Sequence, residues 1–369
     1  MVFGLFKKKN KESKKSTAQK YFNATVREVV KVTSDAVNIV FDNPGGDFIY
    51  EPGQFITIIL TIDGKKVRRA YSLCTTPGVD EFPAVTVKRV EGGLMSNYVN
   101  DNVKAGDVIE IMEPMGMFTL PYERESERHI VLLGGGSGIT PLISIMKGVI
   151  SREPKSLVSL VYANRNEDSI IFKNELEAIA NENSDRVKVI HSLDEPKGSW
   201  DGHSGLLSND KLKGMLGELP KQDDAQTVYF TCGPEPLMNI VFDTLNEMGV
   251  PDERKNKESF VAGSTSPAEI IDADEASGDP KQVKLILDGT EHSFEVAPGK
   301  PILEAALEAD IDMPYSCQSG LCTACRGKCL SGKVTVEDAD GLSKDEIDEG
   351  YVLTCIGKPL TDDVVVEIG

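Results

Sequence analysis

Short runs of apolar and β-branched residues, separated by Gly, Pro, Asn and Asp, follow one another from residue 21 to about residue 122. This pattern predicts short strands joined by turns. The predicted strands are Val26–Val32, Ala36–Phe41, Phe55–Ile62, Val67–Cys74, Ala84–Val90 and Val108–Met112. Six short strands in succession predict a small antiparallel β-barrel.

A different pattern begins near residue 126, where short apolar runs alternate with longer amphipathic stretches. The runs predict four strands, and the amphipathic stretches predict helices between them. The predicted strands are Ile130–Leu133, Leu157–Tyr162, Val187–His191 and Val228–Thr231, and the predicted helices are Pro141–Ile150, Phe172–Asn181 and Pro236–Met248. Strands that alternate with helices predict a parallel sheet covered on both faces.

The last segment of the chain combines strands, a helix and a cysteine-rich loop. A hairpin is predicted from Val283–Leu287 and Glu291–Val296, with its turn at Asp288-Gly289. A helix is predicted at Ile302–Ala309. This mixture is typical of a small α+β domain.

Composition divides the chain into five predicted units: a basic tail (1–20), a β-barrel (21–125), an α/β domain (126–261), a linker (262–281) and the α+β domain (282–369). The tail has seven lysines, one glutamate and no apolar period, which predicts disorder. The linker is rich in Ser, Gly, Pro, Ala and acidic residues, which is typical of a mobile tether. We expect the last domain to alternate between a docked and a released position.

The net charge of −19 is concentrated at the carboxyl end. Residues 264–369 carry 22 acidic and 8 basic residues, a net charge of −14, and the rest of the chain carries −5. Such an acidic region argues against nucleic-acid binding and is compatible with docking on a basic protein partner, although a solvated acidic surface is the simpler interpretation. No secretory signal or membrane-length apolar run is present, which predicts a cytoplasmic protein without stable membrane insertion.

Four of the seven cysteines follow the arrangement C-x4-C-x2-C…C, namely Cys317, Cys322, Cys325 and, after 29 further residues, Cys355. This spacing is that of plant-type 2Fe–2S sites. Gly320 and Gly327 are expected to adopt positive φ and to turn backbone N–H groups towards the sulfurs. A four-cysteine zinc site is the alternative, although zinc sites usually pair two C-x2-C units. Cys329 fits neither arrangement and is expected to be a small buried residue.

A predicted strand carries Arg69, Tyr71 and Ser72, whose side chains suit a flavin. A guanidinium can bind pyrophosphate, an aromatic ring can stack on the isoalloxazine, and a hydroxyl can hydrogen-bond the reactive N5 edge. Further along, the stretch that contains Gly93, Met95 and Ser96 leads into a short predicted helix. Its N–H groups and hydroxyl would form a pyrophosphate cradle.

Two segments have features of a nicotinamide-nucleotide site. The first runs from Gly134 to Gly138, with Gly135 and Gly136 allowing close backbone approach and Thr140 expected to cap the following helix. The second is Cys232-Gly233-Pro234, which follows a predicted strand at the edge where α/β sheets bind ligands. Cys232 could instead be a small buried hydrophobic residue. Arg165 follows another strand and suits a 2′-phosphate, which favours NADPH over NADH.

Several motifs occur in a fixed order: Pro52-Gly53-Gln54-Phe55, Arg69-x-Tyr71-Ser72, Pro114-x-Gly116-x-Phe118, Gly134–Pro141, Cys232-Gly233-Pro234 and the C-terminal cysteines. In this order the chain resembles the ferredoxin–NADP reductase family with a plant-type ferredoxin fused at the C-terminus. The resemblance implies FAD, with Arg69, Tyr71, Ser72 and Ser96 as contacts. It also implies a β-grasp ferredoxin domain, a Cys232 thiol beside the nicotinamide, and a flavin covered by the segment of Glu258 and Phe260.

The resemblance implies an NAD(P)H-dependent oxidoreductase that passes electrons through FAD and a 2Fe–2S cluster to a protein acceptor. A multicomponent oxygenase is the expected acceptor, and an epoxidase acting on phenylacetyl-CoA is expected first. A desaturase, a sugar-nucleotide deoxygenation enzyme or a quinone is the alternative acceptor. A zinc-stabilised binding module on a degenerate reductase fold is the alternative from another class of protein.

Overall fold

The computed structural model of the chain describes residues 20–220, 226–260, 279–337, 339 and 341–369, and their strands form three sheets. The predicted basic tail up to residue 19 and the predicted linker up to residue 278 lie outside the described residues. Within the described ranges, no helix has the length and apolarity needed to cross a membrane.

The first sheet is a six-stranded antiparallel barrel. Its strands are β1 (Tyr21–Thr33), β2 (Ala36–Phe41), β3 (Phe55–Ile62), β4 (Lys65–Ser72), β5 (Ala84–Lys88) and β6 (Val108–Met112), and helix α1 (Leu94–Asn102) lies between the last two. The order is β4-β3-β6-β1-β2-β5. A bridge between Leu73 and Val85 brings the end of β4 to β5 and closes the sheet. The predicted antiparallel flavin domain is confirmed.

The second sheet is parallel throughout. Its strands are β7 (His129–Gly135), β8 (Leu157–Asn164), β9 (Val187–Leu193), β10 (His203–Ser204), β11 (Thr227–Cys232) and β12 (Lys255–Glu258). The helices are α2 (Ile139–Arg152), α3 (Lys173–Glu182), α4 (Asn209–Gly217) and α5 (Glu235–Glu247). The order β10-β9-β8-β7-β11-β12 places the topological switch point between β7 and β11, where sheets of this kind bind ligands. The sequence pattern missed β10, α4 and β12.

The third sheet lies in residues 281–369, called here the C-terminal lobe. Its strands are β13 (Lys281–Leu287), β14 (Thr290–Val296), β15 (Arg326–Ser331), β16 (Tyr351–Leu353) and β17 (Val364–Ile368), and its helices are α6 (Ile302–Glu308) and α7 (Lys344–Asp348). The order is β14-β13-β17-β15-β16, with β13 and β17 parallel and the other pairs antiparallel. A separate apolar core fills this lobe, which confirms the predicted α+β domain.

The barrel and the parallel sheet share one apolar core. Phe118 at the end of the barrel packs edge-on against Phe230 of β11, with ring centroids 5.2 Å apart. Both rings belong to a continuous cluster of buried side chains that includes six residues of α2. At its border, the Lys147 ammonium of α2 forms a 2.9 Å ion pair with Asp80 of the barrel. These contacts hold the two sheets together as one body.

A histidine is buried inside the parallel sheet. His129, the first residue of β7, is 3% exposed, and its Nε2 lies 2.8 Å from the Ser159 hydroxyl of β8. Burial lowers the pKa of His129 to about 4, because a charged ring would lose its hydration there. The folded protein therefore excludes a proton that the unfolded chain takes up below about pH 6.5.

This exclusion predicts a loss of stability in acid. His129 contributes no pH dependence above about pH 7. As the pH falls from about 7 to 5, the unfolded chain protonates His129 and the folded protein does not, which should lower the free energy of unfolding by about 2 kcal/mol. In His129→Gln, the acid-induced loss should be smaller than in the wild type by about that amount. Denaturant titrations at pH 7.5 and pH 5.0 measure the difference, with His292→Gln on β14 as the control, and equal losses in both variants would contradict the prediction.

Candidate cofactor sites

The four cysteines of the C-x4-C-x2-C…C arrangement meet in the C-terminal lobe. Cys317, Cys322 and Cys325 lie on the loop between α6 and β15, and Cys355 follows β16. The thiol of Cys317 is within hydrogen-bonding reach of Cys322 and Cys355, and Cys325 is within reach of Cys355. Hydrogen bonds from these neighbours lower the pKa of Cys317. The same contacts raise the pKa of Cys322 and of Cys355, so the thiols hold protons between them, and these protons must leave when a metal binds.

Backbone contacts shape the cysteine loop. Gly320 adopts the predicted positive φ, at +74°, and its carbonyl accepts a 2.7 Å hydrogen bond from the Gly341 N–H. The prediction of positive φ for Gly327 is wrong, because Gly327 lies in β15. A Cβ there would lie 2.4 Å from Val366, so this glycine is required by close packing.

The convergence of the four thiols fits a two-iron cluster. The N–H of Ser319 donates to the Cys317 sulfur at 3.5 Å, as expected of a loop around thiolates. A zinc site needs four ligands on one ion, whereas four cysteines hold the two irons of a 2Fe–2S cluster between them. The C-x4-C-x2-C…C spacing, with three ligands on one loop, is that of the cluster and favours it over zinc.

The predicted flavin residues of β4 divide between two faces. Arg69 and Tyr71 alternate with Arg68 and Ser72, so the two pairs lie on opposite sides of the strand. The Tyr71 ring packs against the barrel core, and Arg69 Nη1 donates to the carbonyl of Arg68 at 2.7 Å. The two residues can therefore present a ring and a guanidinium to one ligand.

Three predicted residues from distant parts of the chain come together beside this strand. Ser72 Oγ donates a 3.0 Å hydrogen bond to Glu258 Oε2. Glu258 in β12 lies opposite Cys232 in β11, and all three side chains are buried. Burial raises the pKa of Glu258 to about 8 and raises the pKa of the Cys232 thiol. Both groups are therefore predominantly neutral at pH 7. Phe260 follows two residues later and is 42% exposed.

Helix α1 carries the residues predicted for the pyrophosphate cradle. Gly93 is its N-cap and no side chain caps its first turn, so its N–H groups can serve an anion. The Ser96 hydroxyl accepts a 3.1 Å hydrogen bond from the Val90 N–H and keeps its own proton to donate. Met95 packs in the barrel core, so any flavin contact from Met95 would come from its backbone.

The glycine loop after β7 lies directly against the Cys232 segment. A Cβ on Gly138 would lie 2.0 Å from the carbonyl oxygen of Cys232, which only glycine permits. Gly135 ends β7, and Gly136 has a φ of +53°. The prediction that Thr140 caps α2 is wrong: Gly138 is the N-cap, and the Thr140 hydroxyl donates to the carbonyl of Ser137 at 3.1 Å from inside the helix.

The Cys232-Gly233-Pro234 segment joins β11 to α5. Cys232 is completely buried, and Pro234 is the N-cap of α5. Gly233 packs against the backbone of Gly135 across the switch point, since a Cβ on Gly233 would lie 3.0 Å from the Gly135 nitrogen. The two predicted nucleotide segments thus lie side by side at the switch point between β7 and β11.

Arg165 lies at the carboxyl edge of the parallel sheet, as predicted, and has acidic neighbours. The Glu195 N–H donates to the Arg165 carbonyl at 2.7 Å, and the Asp194 N–H donates to the carbonyl of Asn164 at 2.9 Å. Burial raises the pKa of Asp194 and the Arg165 charge opposes that shift, so Asp194 and Arg165 interact. The edge thus offers a guanidinium and carboxylates together.

Two residues at this edge were not predicted as site residues from the sequence. Ser192 at the end of β9 and Thr231 at the end of β11 are each 1% exposed. Within the described ranges, their hydroxyl oxygens have no hydrogen-bond partner. Buried polar groups normally have partners, so orphaned hydroxyls at a ligand-binding edge fit a nucleotide. A small hydroxyl residue at the carboxyl end of an apolar strand was the sequence feature that could have identified them.

Three family profiles match the chain in order. An "Oxidoreductase FAD-binding domain" matches residues 23–120, an "Oxidoreductase NAD-binding domain" matches 132–243, and a "2Fe-2S iron-sulfur cluster binding domain" matches 285–360. The FAD, nicotinamide-nucleotide and 2Fe–2S assignments are therefore confirmed.

Relatives match over nearly the whole chain. The ferredoxin reductase component of 3-ketosteroid-9-alpha-monooxygenase from Rhodococcus rhodochrous is 37% identical over 351 residues, or 93% of this chain and 95% of that protein. A subunit of 1,2-phenylacetyl-CoA epoxidase from Escherichia coli K12 is 32% identical over 354 residues, or 94% of this chain and 97% of that subunit. The structure of phthalate dioxygenase reductase is 26% identical, with a TM-score of 0.59 over 94% of this chain and 98% of that chain.

The fold and the cofactor sites define an oxidoreductase that combines a flavin, a nicotinamide nucleotide and a 2Fe–2S cluster in one chain. More narrowly, the chain belongs to the family of ferredoxin reductase components of oxygenase systems, in which a flavin reductase is fused to a C-terminal ferredoxin.

The cluster assignment predicts the effect of removing one ligand. Cys355→Ser should lose iron while FAD stays bound, because the barrel has its own core. Reduction of small dyes by NAD(P)H should continue, and reduction of a protein acceptor should fall to background. Iron analysis and visible spectra after anaerobic purification measure the change. Cys329→Ser is the matched control, since Cys329 lies half-buried in β15 and donates to the Ser331 carbonyl. Stoichiometric zinc in the wild type would contradict the assignment.

Proposed function

We propose that this reductase takes electrons from NAD(P)H and supplies them to an oxygenase that acts on phenylacetyl-CoA. The relative from Escherichia coli is named as a subunit of such an epoxidase and matches almost the full chain. A 3-ketosteroid monooxygenase is the second candidate partner, because the Rhodococcus relative is more similar in sequence. A cytoplasmic location belongs to the proposal, since the cluster cysteines must stay reduced to bind iron.

One observation carries the electron route of this proposal. The C-terminal lobe packs on the strand pair β3–β4, and β4 is the strand of Arg69, Tyr71 and Ser72. The buried contact includes Cys322, a ligand of the proposed cluster. The proposed flavin and cluster sites therefore share one wall of the barrel.

The proposed roles of the flavin-side residues follow from their contacts. When bound, FAD accepts a hydride from NAD(P)H and releases single electrons to the 2Fe–2S cluster. Tyr71, Ser72 and Cys232 line the place of hydride transfer in this proposal. Glu258 holds a proton on its carboxyl at neutral pH and fixes the Ser72 hydroxyl, since Ser72 donates to it. The buried, neutral Cys232 thiol adds no charge beside the nicotinamide.

The residues at the end of β8 and β9 support a proposal on nucleotide choice. Arg165 would bind a 2′-phosphate, as NADPH requires, whereas Asp194 would repel that phosphate and accept a hydrogen bond from the 2′-hydroxyl of NADH. We propose that Arg165 outweighs its acidic neighbours and that NADPH is preferred.

Single substitutions test this balance. Arg165→Ala should raise the Michaelis constant for NADPH about tenfold or more, because a charge-assisted hydrogen bond contributes about 1.5–3 kcal/mol, and should barely change that for NADH. Asp194→Asn should lower the constant for NADPH and raise that for NADH. Steady-state dye reduction with each nucleotide measures both effects. Equal changes for the two nucleotides in Arg165→Ala would exclude a 2′-phosphate contact.

Reconstitution tests the partner. The purified reductase should support substrate oxidation by a phenylacetyl-CoA epoxidase with NADPH consumption matched to product, and more slowly by a 3-ketosteroid monooxygenase. Rising salt should lower the rate with the correct partner. The lobe and the preceding linker together carry a net charge of −14, and salt weakens the electrostatic attraction that this charge would provide for docking. Cys355→Ser is the negative control. Faster turnover with the steroid enzyme would replace the first candidate by the second.

A further inference from the structure

The two sides of the strand pair β3–β4 have different neighbours. Side chains alternate along a strand, so each side of the pair carries every second residue. We call one side the outer face. It contains Phe55, Thr57 and Ile59 of β3 and Arg68 and Ala70 of β4. The other side, with Ile56, Ile58 and Val67, belongs to the barrel core.

The C-terminal lobe covers the outer face. Phe55 and Ile59 are only 5% and 3% exposed, although they point out of the barrel. They form a buried apolar cluster with Met112 of β6 and with Cys322 and Ala324 of the lobe. The cysteine loop of the lobe therefore lies directly against the barrel wall.

One charged side chain of the outer face reaches the lobe. Arg68 Nη1 donates a 2.6 Å hydrogen bond to Asp312 Oδ1, and the guanidinium carbon lies 5.4 Å from the centre of the Tyr315 ring. Next to it, the hydroxyls of Thr57 and Ser316 form a hydrogen bond. All three lobe residues, Asp312, Tyr315 and Ser316, lie within the five positions before the first cluster cysteine. The polar contacts thus fix the segment that leads into the cysteine loop.

The Arg68–Asp312 ion pair is half-exposed, so it can orient the lobe and still allow the lobe to dissociate from the barrel. The Arg68 side chain is 5% exposed, and its Nε has no hydrogen-bond partner within the described ranges. The Asp312 side chain is 59% exposed. Burying a guanidinium costs free energy, and a carboxylate that stays mostly in water offsets only part of that cost. If the lobe dissociated from the barrel, water would again hydrate the Arg68 guanidinium.

We propose that Arg68 is a positioning residue for the one-electron step from the flavin to the 2Fe–2S cluster, and that it acts through Asp312. In this step the reduced flavin loses one electron and one ferric iron of the cluster becomes ferrous, with no bond formed or broken at Arg68. Arg68 holds the cysteine loop on the outer face, and Arg69, its neighbour on the opposite face, is left to the flavin. The inference rests on the proposed electron route and is independent of the oxygenase partner.

Asp312→Asn tests the proposal, because it removes the charge from an exposed lobe residue and leaves the barrel unchanged. After anaerobic mixing with NADPH, stopped-flow absorbance should show unchanged flavin reduction. Freeze-quench electron paramagnetic resonance should show cluster reduction slowed about tenfold, the expected effect of losing a charge-assisted hydrogen bond. Asp362→Asn is the matched control, since Asp362 pairs with Lys281 inside the same lobe at 3.3 Å. It should behave as the wild type.

A measurement without electron flow gives a second readout. Small-angle scattering of the oxidised holoenzyme should show a larger radius of gyration for Asp312→Asn than for Asp362→Asn at low salt. Raising the salt should enlarge the wild type and slow its cluster reduction, because the half-exposed pair is screened, and should leave Asp312→Asn unchanged.

A double-variant cycle separates positioning from a general structural effect. Arg68→Gln combined with Asp312→Asn should slow cluster reduction no more than either change alone, and Asp312→Glu should restore most of the rate. Wild-type rates and dimensions in Asp312→Asn, additive effects in the double variant, or equal slowing of flavin and cluster reduction would each overturn the positioning role. A wild type that reduces its flavin but never its cluster would instead overturn the proposed electron route.

Discussion

Successive side chains of a β-strand point to opposite sides of the sheet, and in β4 this rule gives neighbouring residues different partners. Arg69 and Tyr71, two of the proposed flavin contacts, lie on the barrel side. Arg68 and Ala70 lie on the side covered by the C-terminal lobe. A shift of the register by one residue would exchange the two sets. The eight-residue pairing of β3 with β4 therefore determines where both proposed redox sites lie relative to the barrel wall.

The parallel sheet depends on a comparable constraint at its switch point. Gly138 and Cys232 approach so closely that their backbones are in contact, and β12 adds Glu258 beside Cys232. The Ser72 hydroxyl then crosses from the barrel to meet that carboxyl. Residues that are distant in the chain thus form one site, because two sheets share a core.

Much of this arrangement could be predicted from local patterns. The strands Ala36–Phe41, Phe55–Ile62 and Val108–Met112 have the predicted bounds, because turn residues flank them closely. The cysteine spacing indicated the cluster, because three ligands lie on one loop. Thr140 suits a helix cap by residue type, but the close approach of Gly138 to Cys232 starts α2 earlier.

Features that depend on packing between domains could not be predicted in the same way. The Arg68–Asp312 pair joins residues 244 positions apart, and the acidic neighbours of Arg165 follow from the pairing of β8 with β9. One sequence feature did indicate the packing of the lobe on the barrel, although the prediction made no use of it. The run Phe55–Ile62 is apolar at nearly every position, whereas an antiparallel strand with one solvated face alternates. Continuous apolarity in such a strand indicates a second covering layer, here the C-terminal lobe.

The shared core of the barrel and the parallel sheet has a consequence for how this architecture diversifies. Hydride transfer requires the reacting atoms to be nearly in contact, so the elements that carry it must keep a fixed relation. The joint with the Phe118–Phe230 contact and the Lys147–Asp80 pair provides that rigidity. The C-terminal lobe has its own core and meets the barrel on the outer face of β3 and β4. A change within the lobe can therefore leave that joint undisturbed, and the relatives named for a 3-ketosteroid monooxygenase and a phenylacetyl-CoA epoxidase match this chain across the barrel, the parallel sheet and the lobe.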